Sequence, residues 1–287
     1  MHDKEEPHPM HYGFIIPRGN IETVLQLAVE AEEAGWDGVF YWDAIYIESV
    51  GYMYDPWVVL GAMALRTTRV RLGAILTPLS RRRPWKVARE TVTVDHLSHG
   101  RLILSVGLGA LDDGGFGKVG EVTDRKARAA LLDESLAILT GLWSGKPFSF
   151  HGQHYQLEEM TFAPPSLQSP RIPIWVVGAW PSTKSMQRAL RYDGLHPHKL
   201  NSPAGGHNIT PDDIRAMKVY IAEHRTPQTP FDIVWQGETP GDDRAHATDI
   251  VQPFIDAGIT WWMETRWLTQ DDEAIRTRIR QGPPRIV

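Results

Sequence analysis

Residues Thr68 to Ala110 read TRVRLGAILTPLSRRRPWKVARETVTVDHLSHGRLILSVGLGA. An apolar run, Val70 to Leu76, ends in a Thr-Pro bend. A basic helix start follows at Arg81, Arg82 and Arg83, then an amphipathic helix over Pro84 to Leu97 closed by glycine. A second apolar run, Leu102 to Val106, opens into glycines. Strand, helix and strand in this order form a βαβ unit with a right-handed crossover, its helix covering the sheet. Repetition of the unit puts loop residues at the carboxyl ends of parallel strands, where α/β barrels hold ligands.

The alternation continues on both sides. Upstream, YGFIIP from Tyr12 to Pro17 is a short strand, Asn20 is placed as an N-cap, and Ile21, Val24, Leu25 and Ala28 recur at helical spacing. Gly35 ends that helix, DGVFYW from Asp37 to Trp42 is the second strand, and a helix over 56–66 leads into the quoted stretch. Downstream, a long helix over 124–143 carries Leu131, Leu132, Leu136 and Leu139 on one face. Residues 146–173, rich in Pro, Ser and aromatics with HGQHYQLE as a hairpin, form an excursion between the fourth and fifth units. Strands at 174–177, 194–196, 231–235 and 259–263, with helices at 182–191, after Pro211, at 245–257 and at 271–280, complete eight of each. The count predicts an α/β chain folded as a (β/α)8 TIM barrel: one domain over 12–287, with a polar tail over 1–11.

The composition, 42% hydrophobic and 23% charged, is that of an ordinary globular protein. A net charge of −5 offers no broad positive field, so nucleic acid is not an expected partner. The cluster Arg81, Arg82, Arg83 is local and reads either as a solvated helix start or as a grip on an anionic ligand. With no cysteine there is no disulfide, thiolate nucleophile or thiolate metal site, which suits a reducing compartment; a cytoplasmic location is expected. No run approaches the roughly 18 apolar residues of a membrane span, so no membrane association is expected.

In such a barrel the residues just after each strand face a common cavity. Read in order they are Pro17, Arg18 and Gly19; Asp43 and Ala44; Thr77; Gly107, Leu108, Gly109 and Ala110; Gly178, Ala179 and Trp180; His196 and His198; Gln236 and Glu238; and Glu264, Arg266 and Trp267. The set is poor in paired acids and rich in glycine and aromatics, which suits a flat, partly apolar cofactor better than a hydrolytic site. Gly107 and Gly109 let the backbone approach a ring or phosphate closely, or simply turn. They are not a dinucleotide fingerprint, because Asp112 stands in the third glycine's place. The segment GAWPSTKS puts Gly178, Ser182, Thr183 and Lys184 around a helix start, either as an anion pocket or as a plain N-cap by Ser182. His196, Glu264 and Arg266 are the candidates to orient substrate or move protons, a rim role standing beside that reading for each.

Four segments resemble, in family order, the bacterial luciferase-like superfamily of flavin and deazaflavin oxidoreductases: EAEEAGWDGVFYWD, RVRLGAILTP, RPWKVARETVTVDHLSHGRLILSVGLG and HGQHYQLEEMTFAPPSLQSPRIPIWVVG. The resemblance implies a barrel that binds reduced FMN, or alternatively coenzyme F420, with its ring at the carboxyl ends of the strands. It implies a non-prolyl cis peptide behind the ring, matching the bond from Ala74 to Ile75. The implied cofactor contacts are Asp43, Ala74, Ile75, Thr77, Gly107, Gly109, Ala110, Gly178, Ala179, Ser182 and Thr183. Two positions depart from the family pattern. Ala44 stands where many relatives have histidine, so that residue's proton-handling role does not transfer. Leu108 stands where luciferases proper carry a phosphate-gripping arginine, and light emission is not expected. The resemblance thus implies an FMN-dependent monooxygenase acting on a small organic substrate, with F420-dependent hydride transfer as the alternative. Two further classes are a metal-dependent barrel hydrolase using His196 and His198 with Asp43 or Glu264, and a barrel that binds flavin without chemistry. A homodimer, and a flavin reductase or other reductant supply, are also implied by the resemblance.

Overall fold

The structure, a computed structural model, describes residues 10–200, 208–227 and 229–286; most of the expected 1–11 tail lies outside them. The first half of the barrel runs β1 (His11–Ile15), α1 (Ile21–Glu33), β2 (Gly38–Tyr41), α2 (Pro56–Arg66), β3 (Arg71–Ala74), β4 (Thr77–Pro78), α3 (Pro84–Leu97), β5 (Leu104–Gly107) and α4 (Arg125–Trp143). An antiparallel hairpin, β6 (Pro147–His151) and β7 (Gln156–Thr161), follows. The second half runs β8 (Ile174–Trp180), α5 (Thr183–Ala189), β9 (Gly194–Lys199), α6 (Pro211–His224), β10 (Asp232–Gly237), α7 (Arg244–Ala257), β11 (Trp261–Glu264) and α8 (Asp272–Arg280).

The parallel strands lie in the order β3, β2, β1, β11, β10, β9, β8, β5, β4. The ring closes where Leu72 bridges Leu102, with Leu72 N–H donating to Arg101 O at 3.0 Å and Ile103 N–H to Leu72 O at 2.8 Å. β3 and β4 are two pieces of the third barrel strand, so the fold is the expected (β/α)8 barrel with its helices outside.

Local signals explain the boundaries. Asn20 caps α1 by accepting from Thr23 N–H, and Gly35 follows the helix with φ 88°. Asp55 caps α2 ahead of Pro56, and Asp124 caps α4. The sixth barrel strand is longer than the 194–196 expected. β9 pairs with β8 as far as Lys199, whereas β10 leaves it after Leu195, so Pro197 has a neighbour on one side only and its missing N–H costs no bond to β10.

Ladder register divides each strand between the axis and the helices. Ile15, Phe40, Ile75, Ile103, Trp175, Val234, Trp261 and Met263 fill the barrel. Glycine makes room for them: a Cβ at Gly38 would lie 2.6 Å from the Phe40 ring, and one at Gly13 2.7 Å from Met263 Sδ. Two of the eleven tryptophans, Trp175 and Trp261, thus form part of the barrel's filling, and their rings meet edge-on at 5.2 Å.

The DHLSHGR turn binds the helix layer to the strands. Asp95 accepts from Leu167 N–H at 2.7 Å and Gln168 Nε2 at 2.8 Å, anchoring the chain that returns from the hairpin. Arg101, 8% exposed, donates to the carbonyls of Ala64, Thr67, Val70 and Ser98 and to Thr67 Oγ1. An ammonium cannot reproduce that planar fork. Arg101→Lys is therefore expected to lower the unfolding free energy by about 2 kcal/mol, read as a lower urea midpoint at unchanged m-value.

Candidate active site

The axis-facing positions above the core follow from register. Gly107 lies on the axis side with Val177 and Leu76, and a Cβ there would come within 3.0 Å of Val177 and 3.1 Å of Leu76. Val177 pairs with His196, Ala179 with His198, and Met263 with Gln236, so those side chains share that face. Val177 stands mid-strand yet is only half-buried, so its side chain is not sealed by the described residues. Below it, the Ser105 hydroxyl is 1% exposed with no hydrogen-bond partner.

Two loops beside this face are locked by a charge cluster. The Asp43 carboxylate is fully buried and takes Arg81 Nη2 and Arg82 Nε and Nη2, each at 2.9 Å. Arg81, whose side chain is 3% exposed, also pairs with Asp113. Asp113 in turn accepts from the N–H groups of Tyr46 at 2.9 Å and Gly115 at 2.8 Å. Two arginines and two aspartates balance, so the buried cluster carries no net charge. Burial alone would raise the Asp113 pKa, but Arg81 and the two N–H groups outweigh it and hold the carboxyl below its ordinary range. Burial alone would lower the Arg82 pKa, but Asp43 outweighs it and holds the guanidinium above its ordinary value.

Phe116 lies between Arg81 and Arg128, whose guanidinium carbons are 5.1 and 5.2 Å from the ring centroid. Arg128 also donates to Leu108 O and Gly109 O at 3.0 and 3.1 Å, fixing the loop after β5. Gly109 is demanded twice: its φ is +79°, and a Cβ would sit 2.8 Å from Phe116.

The positions read from sequence divide accordingly. Ile75, Gly107, Ala179, His196 and His198 gather on the axis side, with Gly109 and Ala110 in the adjoining loop. Ala74 belongs to the helix-facing core, and Thr77, paired with Val106 of that core, lies on the same side. Gly178 faces Leu195 and Met186, not the axis. The non-prolyl cis bond is Ile75–Leu76, one residue beyond the expected Ala74–Ile75: Ile75 N–H still donates to Tyr41 O at 2.8 Å, so the ladder with β2 persists past Ala74.

The readings of Arg81 and Arg82 as solvated or ligand-gripping both give way to internal ion pairs. Glu264 is fully buried, accepting from Thr239 N–H and Oγ1 at 2.9 and 2.7 Å and pairing with Arg266 at 3.2 Å and Arg278 at 3.3 Å. Arg266 also pairs with Glu238 at 2.9 Å. These two are held by one another rather than turned to a ligand. Asp43 and Glu264, the carboxylates a hydrolytic metal centre would need, are both held by arginines. Among the described residues no three His, Asp or Glu side chains gather as metal donors, and no helix is long and apolar enough to cross a membrane.

Ser182 precedes α5 without a side-chain cap hydrogen bond; the hydroxyl at work is that of Ser185, which accepts from Ala179 N–H at 2.9 Å. Thr183 and Lys184 are exposed on the first turn. Sequence reasoning missed Asp113, Arg128 and Ser185. Only Asp113 left a signal, as an aspartate two residues before Gly115 in a glycine-rich loop.

A family model described as luciferase-like monooxygenase matches residues 4–282. The chain belongs to that family. Among curated proteins, it is 33% identical over 163 residues to an F420-dependent glucose-6-phosphate dehydrogenase of Nakamurella multipartita, covering 54% of this chain and 47% of the relative. A protein of the same description from Kineococcus radiotolerans is 34% identical over 167 residues, covering 56% and 48%. The matched stretch thus spans about half the length of these relatives. Among solved structures, an F420-dependent secondary alcohol dehydrogenase in complex with an F420-acetone adduct superposes with TM-score 0.78 at 17% identity, covering 96% of this chain and 98% of that one. The monooxygenase RslO1 from Streptomyces bottropensis gives TM-score 0.75 at 18% identity, covering 95% and 97%. At these identities the superpositions bear on the fold. Family and barrel stand as the sequence segments implied. The 31–34% identical relatives carry F420 in their names, the cofactor given above as the alternative to FMN.

Proposed function

We propose that this protein is an F420-dependent oxidoreductase that exchanges a hydride with a small organic substrate at the barrel mouth. The observation that carries the reading is the 33% identity to an F420-dependent dehydrogenase over 163 residues. The mouth fits a flat, largely apolar ring. Gly107 leaves space that a Cβ would fill against Val177 and Leu76, and Ser105 beneath it offers an unpartnered hydroxyl. In this reading the walls around Gly107 seat the ring edge, Gly109 and Ala110 flank it, and the uncapped first turn of α5, with Thr183 and Lys184, takes an anionic tail. A bound deazaflavin supplies two-electron chemistry by giving or taking one hydride. The chain orients the substrate, excludes water and handles the accompanying proton. With Ala44 in place of the family's histidine, His196, axis-facing beside Val177 and 7% exposed, is the side chain assigned to that proton.

Titration of apo protein with F420 and with FMN, each followed by cofactor fluorescence, tests the proposal. Saturable binding of F420 at concentrations where FMN does not saturate is expected. The converse overturns it in favour of an FMN-dependent monooxygenase.

A further inference from the structure

We propose that the substrate is an uncharged, largely apolar molecule and not a sugar phosphate; this rests on the reading above that the barrel mouth is the active site. The loops after β2, β5 and β11 expose large apolar side chains: Ile45 (54%), Tyr52 (61%), Leu111 (52%), Trp267 (40%) and Leu268 (87%). These loops adjoin. Gly114 N–H donates to Tyr46 O at 2.7 Å, Asp113 takes the N–H groups of Ile45 and Tyr46, and the Trp267 ring meets Trp42 edge-on at 6.2 Å. Trp42 is itself fixed by its Nε1–H on Pro17 O at 2.9 Å. Apolar surface concentrated on adjoining loops marks a ligand whose carbon it covers.

The charges agree. Holding a phosphate dianion calls for cations free to turn to it. At this mouth Arg81 and Arg82 are closed by Asp43 and Asp113, Arg18 by Asp272 at 3.0 Å, and Lys199 by Asp213 at 2.7 Å. Arg266 is closed by Glu238 and Glu264. Arg128 is turned onto two loop carbonyls, and the Lys118 ammonium lies over the Tyr46 ring at 4.9 Å. Lys184 stands at the start of α5, which the reading above gives to the cofactor's anionic tail. Arg83, Arg125 and Lys126 are exposed at the starts of α3 and α4, outside the Asp43 cluster; a phosphate beside that cluster would compete with its existing ion pairs, whereas an apolar molecule covers carbon now in water.

Ligand-observed NMR on the apo protein, with cyclohexanol and glucose 6-phosphate as probes, tests this without relying on turnover. The expected result is saturable transfer to cyclohexanol and none to glucose 6-phosphate. An Ile45→Lys, Leu268→Lys double variant, shown folded by circular dichroism, should weaken cyclohexanol by roughly tenfold. Preferential binding of glucose 6-phosphate, absence of saturable cyclohexanol binding, or an unchanged cyclohexanol Kd in the double variant overturns the inference. F420 binding is measured on the same samples. If it fails while the probe pattern holds, the redox reading falls and the apolar mouth is supported; if F420 binds and the sugar phosphate is preferred, only the substrate class is overturned.

Discussion

Asp43→Ala is expected to lower the unfolding free energy by about 3–5 kcal/mol, because it leaves two arginines with a shared buried partner removed. The Arg81 side chain is 3% exposed and Arg82 15%, so neither reaches water without moving the loop that carries it. For a chain of this size the change corresponds to a Tm lower by on the order of 10 °C, readable by calorimetry. The companion Asp113→Asn gives a pH signature. The Asp113 carboxyl titrates lower in the folded chain than unfolded, so its contribution is present above the unfolded value and is lost as pH falls through the folded one. The stability difference between wild type and Asp113→Asn should be flat from about pH 5 to pH 8 and shrink below about pH 4. A difference that grows in acid would show that Asp113 does not carry its charge in the cluster.

Gly107→Val is expected to abolish cofactor binding at concentrations that saturate wild type, a loss on the order of a hundredfold. Gly107 does not have a positive φ, so its backbone tolerates a side chain; what bars one is space, with Val177 at 3.0 Å and Leu76 at 3.1 Å from a Cβ. Both neighbours are flexible side chains, so the variant should fold, with the added methyls standing where the ring edge would lie. Retention of wild-type affinity by a folded Gly107→Val would remove Gly107 from the site. Gly178→Ala is the contrast: its side chain would meet Leu195 and Met186, so the cost should appear in stability rather than in cofactor affinity.

The barrel was legible because its signals are local. Helix α3 runs over the Pro84 to Leu97 read from periodicity, and Asn20, Asp124 and Gly35 mark ends that capping chemistry specifies within a few residues. The site was legible only as a set of strand ends. Register then separated Ile75 from Ala74 and Gly107 from Gly178, neighbours in sequence or in role that face opposite sides of the wall. The sixth strand was read short because Pro197 signals a break, and its tolerance depends on where β10 diverges.

By itself the sequence determined the class of fold, the number of β/α units, the excursion before the fifth strand and the family, since each is encoded in periodicity, caps and runs of adjacent residues. Tertiary structure alone decided which polar groups are free to act. Asp43 meets Arg81 and Arg82 across 38 and 39 residues, and Arg81 meets Asp113 across 32. No local pattern encodes such pairings; they arise when barrel closure brings loop ends together, and burying charge there without a partner would cost several kcal/mol. The same closure turned Arg81 and Arg82, which the sequence left between a solvated helix start and an anion grip, into internal ion partners of Asp43 and Asp113.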